Sequence, residues 1–150
     1  MAHTYTNILT HVIFSTKDRI PNIDAELKPQ LYAYINGIAR ELKTELLAIN
    51  GAADHLHLLI MLPAQLALAD ALRVLKTNSS RWVHEKWVSR QDFGWQTGYG
   101  AFSVSQSKVS NVLSYIANQE QHHQKRSFQK EFIEYLNKNG IEYDERYIWH

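Results

Sequence analysis

Cysteine is absent from the chain. That excludes disulfides and thiolate metal centres, and leaves imidazole, carboxylate and amide groups as ligands for any metal. An excess of charge of one sign is missing too: 16 Lys and Arg stand against 15 Asp and Glu, a formal net charge of +1. A polyanionic partner must then be met by local clusters rather than by the field of the whole molecule. No apolar run reaches the roughly 18 residues needed to span a bilayer. The opening Met1-Ala2-His3-Thr4-Tyr5 lacks the basic-then-apolar pattern of a secretory leader. A soluble, cytoplasmic protein without a membrane partner is expected. With only 3 prolines and 6 glycines, the sequence shows no long linker, internal repeat or low-complexity tract.

What is present is enough for a core. The chain has 150 residues, 45% hydrophobic and 21% charged, the size and balance of one folded domain. Residues of about 6–15 are β-branched and aromatic, and read as a strand. Asp24 is placed to cap a helix over about 25–43, where Leu27, Leu31, Ile35, Ile38 and Leu42 recur at helical spacing. A short strand from Glu45 to Asn50, a turn at Asn50-Gly51 and a strand over about 54–62 follow. A helix covers about 66–87, and a glycine-loosened strand about 94–104. Ser105 or Ser107 then caps a helix over about 108–123. A last helix over about 127–139 stops at Asn139-Gly140. This order predicts an α+β fold: a ferredoxin-like or RRM-like antiparallel sheet with helices on one face, plus extra C-terminal helices. The second sheet face is expected to be open. Residues 1–150 read as a single domain, with about 126–150 a C-terminal helical extension whose three aromatics in the tail should dock on the body.

The run Asp54-His55-Leu56-His57-Leu58-Leu59-Ile60-Met61-Leu62 carries the chemistry. A strand repeats its facing every two residues, so His55 and His57 share one face while Leu56, Leu58 and Ile60 take the other. A shared face is the geometry a divalent ion needs. Two half-exposed histidines of no consequence would give the same pattern. Asp54 should point away from the histidines and is not read as a ligand. A third, oxygen ligand with open positions beside it would suit Mg²⁺ or Mn²⁺. Tyr115, Gln119 and His122 follow at i, i+4 and i+7 on one helix face. Tyrosine can serve as a covalent nucleophile if a cation or base assists its phenol. It can equally be edge packing. His122 and His123 are alternatives to Gln119 as ligands, or a solvated helix end. Arg73, Lys76 and Ser80 share a helix face able to grip phosphates. Trp95, Tyr99 and Phe102 could stack on unpaired bases, although Trp95 and Phe102 read better as core.

In order and spacing, Asp54 to Leu58, then Gly98-Tyr99-Gly100-Ala101-Phe102-Ser103-Val104-Ser105, then Tyr115-Ile116-Ala117-Asn118-Gln119, resemble the single-tyrosine HUH transposases. These are the small TnpA-type enzymes of bacterial and archaeal insertion sequences. His11-Val12-Ile13-Phe14-Ser15-Thr16-Lys17 matches in kind, and the resemblance spans roughly residues 5 to 125. It implies that His55, His57 and Gln119 bind Mg²⁺ or Mn²⁺ and that Tyr115 is the nucleophile. It also implies a 5′-phosphotyrosine intermediate on single-stranded DNA hairpins at element ends, and a homodimer whose active sites are shared between subunits. Lys17, Arg19, Arg73, Lys76, Ser80 and Tyr99 are then the candidate DNA contacts. Two other readings stand beside this one. One is a domesticated repeat-associated, replication or mobilisation nickase using the same residues. The other is a non-catalytic single-strand nucleic-acid-binding module.

Overall fold

The computed structural model describes residues 3–123 and 126–149 of the chain. Strands and long helices alternate as β1 (Ile8–Ser15), α1 (Leu27–Glu41), β2 (Glu45–Ala52), β3 (His55–Leu62), α2 (Leu68–Lys86) and β4 (Gly100–Ser103). Three shorter helices follow: α3 (Val109–Ala117), α4 (Gln119–His123) and α5 (Phe128–Lys138). The strands make one antiparallel sheet in the order β2-β3-β1-β4. This is the expected ferredoxin-like α+β arrangement.

One sheet face forms the main core. Val12 and Phe14 of β1 join Leu56, Leu58, Ile60 and Leu62 of β3 against Leu27, Leu31 and Ile35 of α1 and Leu72 and Leu75 of α2. Each fully buried side chain of this kind contributes about 1.5–3 kcal/mol.

The second face was expected to be open, and it is covered. Ile116, Val112 and Leu113 of α3 sit on Leu9 and Leu59. Phe128, Phe132 and Leu136 of α5 sit on Ile13 and Phe102. The physical reason is that this face alternates histidine with leucine and isoleucine, and α3 and α5 each carry an apolar stripe that would otherwise meet water. The tail docks through Tyr143 and Trp149 on the same cluster, while Tyr147 is exposed.

Several element boundaries differ from the sequence reading. Asn50 and Gly51 lie inside β2, paired with His57 and Leu56, and the turn is Ala53-Asp54. Glycine is required at 51 by close approach: a Cβ there would lie 2.0 Å from the His55 carbonyl oxygen. The fourth strand shrinks to Gly100–Ser103; ahead of it Trp95 makes only an isolated bridge to Thr16, with the Gln96 amide donating to the Ser15 carbonyl at 2.9 Å. Lys76 Nζ donates to the Thr97 and Gly98 carbonyls, and the Ser15 amide donates to Gln96 Oε1. The helix expected over 108–123 breaks at Asn118 into α3 and α4. There Asn50 Nδ2 donates to the carbonyls of Ile116 at 2.9 Å and Ala117 at 3.2 Å. Neither Ser105 nor Ser107 caps α3; their hydroxyls pair with each other. Asp24 does cap, accepting the Leu27 amide at 2.9 Å. The stop after α5 is also as expected, with Gly140 at φ +67°.

Candidate active site

β3 presents His55 and His57 two residues apart on the second face, both with no exposed surface. Each ring is held at its Nδ1. Asp54 Oδ1 lies 2.7 Å from His55 Nδ1, so this carboxylate turns toward the histidine that the regular-strand argument pointed it away from. It sits in the hairpin turn, where strict alternation ends. His11 of β1 places its Nε2 2.8 Å from His57 Nδ1. Burial, helped by the adjacent His57, lowers the His11 pKa to about 3. His11 is therefore neutral and can accept the Nδ1–H of His57. Holding one ring nitrogen in this way fixes the tautomer and aims the other.

Both Nε2 atoms are aimed at Glu131 of α5, also fully buried. Glu131 Oε1 lies 2.9 Å from His57 Nε2 and 3.7 Å from His55 Nε2. Its Oε2 accepts a hydrogen bond from the Tyr115 hydroxyl. Gln119 Oε1 lies 3.2 Å from His55 Nε2. Arg126 closes the cluster: Nη2 donates to the Tyr115 oxygen at 2.8 Å and stands 3.9 Å from Glu131 Oε2, while Nη1 pairs with Glu134. Burial raises the Tyr115 pKa above the ordinary tyrosine value, and the hydrogen bond to Glu131 and its negative charge raise it further; Arg126 pulls the other way.

The donor chemistry fits a divalent cation. One ligand atom from each of His55, His57 and Glu131 lies within 4.8 Å of the others, and the Gln119 amide oxygen is alongside. Two imidazoles with carboxylate and amide oxygens are the ligand types left to a chain without cysteine.

Of the residues singled out from sequence, His55, His57, Tyr115 and Gln119 come together, all within one chain. The Tyr115 and His57 rings are 5.7 Å apart between centroids. The resemblance implies a site shared between subunits, whereas here the tyrosine stands beside its own histidines. The side chains of His122 and His123 lie outside the described residues.

The candidate DNA contacts divide. Arg73, Lys76, Ser80 and Tyr99 line one groove between α2 and residues 94–99. That groove is on the α1/α2 side of the sheet, across from the histidines. Lys76 is committed to structure there: two of its three donors are used on backbone carbonyls, and burial lowers its pKa to about 8. Lys17 and Arg19 do not line the groove. Lys17 is exposed. Asp18 and Arg19 adopt φ of 55° and 57°, and the Arg19 guanidinium lies over the Trp149 ring. Trp95 and Phe102 pack as core edges, with Trp95 Nε1 donating to Ser79 Oγ at 2.9 Å.

Sequence reading missed Glu131, Arg126 and His11. A signal for Glu131 existed. Phe128, Glu131, Phe132 and Tyr135 fall at i, i+3, i+4 and i+7, so a carboxylate stands on the buried stripe of α5. His11 also shared the face of β1 that meets His57 across the ladder.

Fold and site together define a class: a ferredoxin-like sheet with a buried, metal-capable histidine pair beside a tyrosine. Over residues 4–119 the chain matches the family of IS200-like transposases, and it belongs to that family. Its activity is therefore that of an insertion-sequence transposase, a DNA-cleaving enzyme of DNA transposition. The transposase for insertion sequence element IS200 of Salmonella typhimurium (strain LT2) is 24% identical over 124 residues, 79% of this chain and 81% of its own length. The Salmonella typhi counterpart matches equally. Among solved structures, a candidate transposase from Deinococcus radiodurans R1 superposes with a TM-score of 0.61 at 26% identity, covering 79% of this chain and 96% of that one. A REP-associated tyrosine transposase bound to a REP hairpin has the same fold, with a TM-score of 0.63 at 14% identity and coverage of 82% and 73%. The family match ends at Gln119; Arg126, Glu131 and Tyr135 lie beyond it.

Proposed function

We propose that this transposase cuts and rejoins single-stranded DNA at the hairpin-marked ends of an insertion sequence. Tyr115 is the nucleophile. His55, His57 and Gln119, joined by Glu131, hold Mg²⁺ or Mn²⁺. The observation that carries the reading is the convergence of the Tyr115 hydroxyl, both imidazole Nε2 atoms, Gln119 and Glu131 on one buried point. A bound cation would polarise the scissile phosphate and offset charge on the leaving oxygen.

The residues divide the remaining work. Glu131 Oε2 takes the phenolic proton as the Tyr115 oxygen attacks phosphorus. Arg126 Nη2, 2.8 Å from that oxygen, stabilises the charge that develops on it. A bond forms between the Tyr115 oxygen and the 5′-phosphate. The bond to the 3′-oxygen breaks, and that oxygen takes a proton from solvent and leaves as a 3′-hydroxyl. In rejoining, a 3′-hydroxyl attacks the same phosphorus and loses its proton to solvent, the bond from phosphorus to the Tyr115 oxygen breaks, and Glu131 returns its proton to Tyr115. His11 and Asp54 hold the two imidazoles in the ligating orientation throughout.

Hairpin recognition is supported by the fold likeness to a transposase bound to a REP hairpin. Residues 1–150 act as one domain, in which the segment from about 126 closes the site. Catalysis is in cis, since the set is complete within one chain; a homodimer would serve to bring two DNA ends together. A passive binding module has no use for a phenol hydrogen-bonded to a buried carboxylate.

The test mixes the protein with labelled single-stranded hairpins from the flanks of its own gene and Mn²⁺, followed by a denaturing gel. A covalent protein–DNA adduct is expected. Tyr115→Phe should abolish it while DNA binding persists, and His57→Ala should abolish it as well. An adduct that survives Tyr115→Phe overturns the assignment.

A further inference from the structure

Beside the buried cluster, bounded by β4, α3 and α5, lies an open cleft of about 720 Å³. Tyr115 and His11 line it on the side of the active site. Half-buried Tyr135 gives it an aromatic surface, backed by the buried Phe102 with ring centroids 5.4 Å apart. Lys108 and Lys138, both exposed, supply positive charge. Among the described residues no Asp or Glu side chain lines it.

Each feature narrows the ligand. Two lysines without a carboxylate favour an anion. An aromatic surface favours a flat, partly apolar group. The side-chain amides of Asn111 and Asn139 can donate and accept at the edge of such a group. The volume falls within the roughly 300–1,000 Å³ typical of small-molecule sites, enough for an unpaired nucleotide. A nucleotide combines all three requirements: a base with a π-face and polar edges, joined to phosphates.

We propose that this cleft seats the unpaired nucleotide adjoining the scissile phosphate, its base against Tyr135 and its phosphates at Lys108 and Lys138. The proposal rests on single-strand cleavage by Tyr115. It adds a place where the strand is held, and it assigns α5 a share in recognition. Tyr135 and Lys138 lie beyond the family match, which ends at residue 119. Half of the seat is thus built by the same segment that supplies Glu131 and Arg126, and α5 joins holding the strand to completing the catalytic cluster.

Tyr115→Phe protein, which reads binding alone, is mixed with an oligothymidylate carrying 5-iodouracil and irradiated, and the cross-linked peptides are mapped. Affinity is measured by anisotropy across a salt series. Cross-links on the peptide of Tyr135 are expected. Lys108→Ala combined with Lys138→Ala should reduce the slope of log affinity against log salt by about 1.4, at about 0.7 per single-strand phosphate contact. Both lysines are exposed, and an unchanged melting temperature confirms that the variant folds. Cross-links confined to the groove at Trp95 and Tyr99, an unchanged slope, or no binding at all overturns the seat. The adduct assay with wild-type protein separates the two readings. An adduct with an unchanged slope removes the seat and leaves cleavage standing; an adduct that survives Tyr115→Phe removes cleavage by this tyrosine whatever the slope.

Discussion

Glu131 holds the centre of the cluster by touching both halves of the chemistry, the imidazoles through Oε1 and the phenol through Oε2. Replacing it with Gln keeps the shape and removes the charge. Adduct formation by Glu131→Gln should fall by about 10²-fold or more, the usual worth of a positioned base, and Mn²⁺ affinity measured by calorimetry should fall with it. An adduct rate equal to wild type would deny Glu131 the role of base. His11 makes a different prediction, about acid. Its folded pKa of about 3 lies below the ordinary 6.5, so the unfolded chain takes up the proton first as pH falls. Stability from this residue is complete above pH 6.5 and declines as pH drops toward 3. With EDTA present, the melting temperature should decline over that window, and His11→Gln should flatten part of the decline. A variant with the same pH slope as wild type would count against a buried neutral His11.

At the scale of elements, the β2–β3 hairpin is the part on which the site depends most. It carries His55 and His57 on one strand, and on the other Asn50, which holds the end of α3 just before Gln119. Gly51→Ala would push a methyl group into the backbone at His55. The expected cost is at the upper end of about 1–3 kcal/mol for overpacking, read by denaturant melts, with loss of metal binding because His55 moves. The periodic parts of these elements were legible from sequence. Apolar spacing located α1 and α2, the Asn139-Gly140 stop located α5, and alternation located β3 with both histidines on one face. What failed were the places where side chains replace backbone pairing. Lys76 binds the carbonyls of Thr97 and Gly98, the Gln96 side chain takes the Ser15 amide, and Asn50 binds the end of α3. Such contacts join residues distant in the chain, and no local period records them.

At the scale of the molecule, the chain covers its own candidate site. The segment from residue 126 covers the second sheet face with Phe128, Phe132 and Leu136, and supplies Arg126 and Glu131. No helix of the described residues is long and apolar enough to cross a membrane. Because Tyr115 stands beside its own histidines, a mixture of Tyr115→Phe and His55→Ala proteins should recover no adduct; recovery would place the tyrosine in the partner's site. The shared face of His55 and His57 followed from the sequence, because a strand's period is a local property of the backbone; Tyr115 and Gln119, read as neighbours on one continuous helix, lie on either side of the break at Asn118. That the histidine face is covered, that Glu131 enters from another helix and that His11 and Asp54 hold the two imidazole rings were decided only by the tertiary structure. Those relations depend on which apolar stripe comes to rest on which sheet face, and burial of that kind is settled by the whole chain at once.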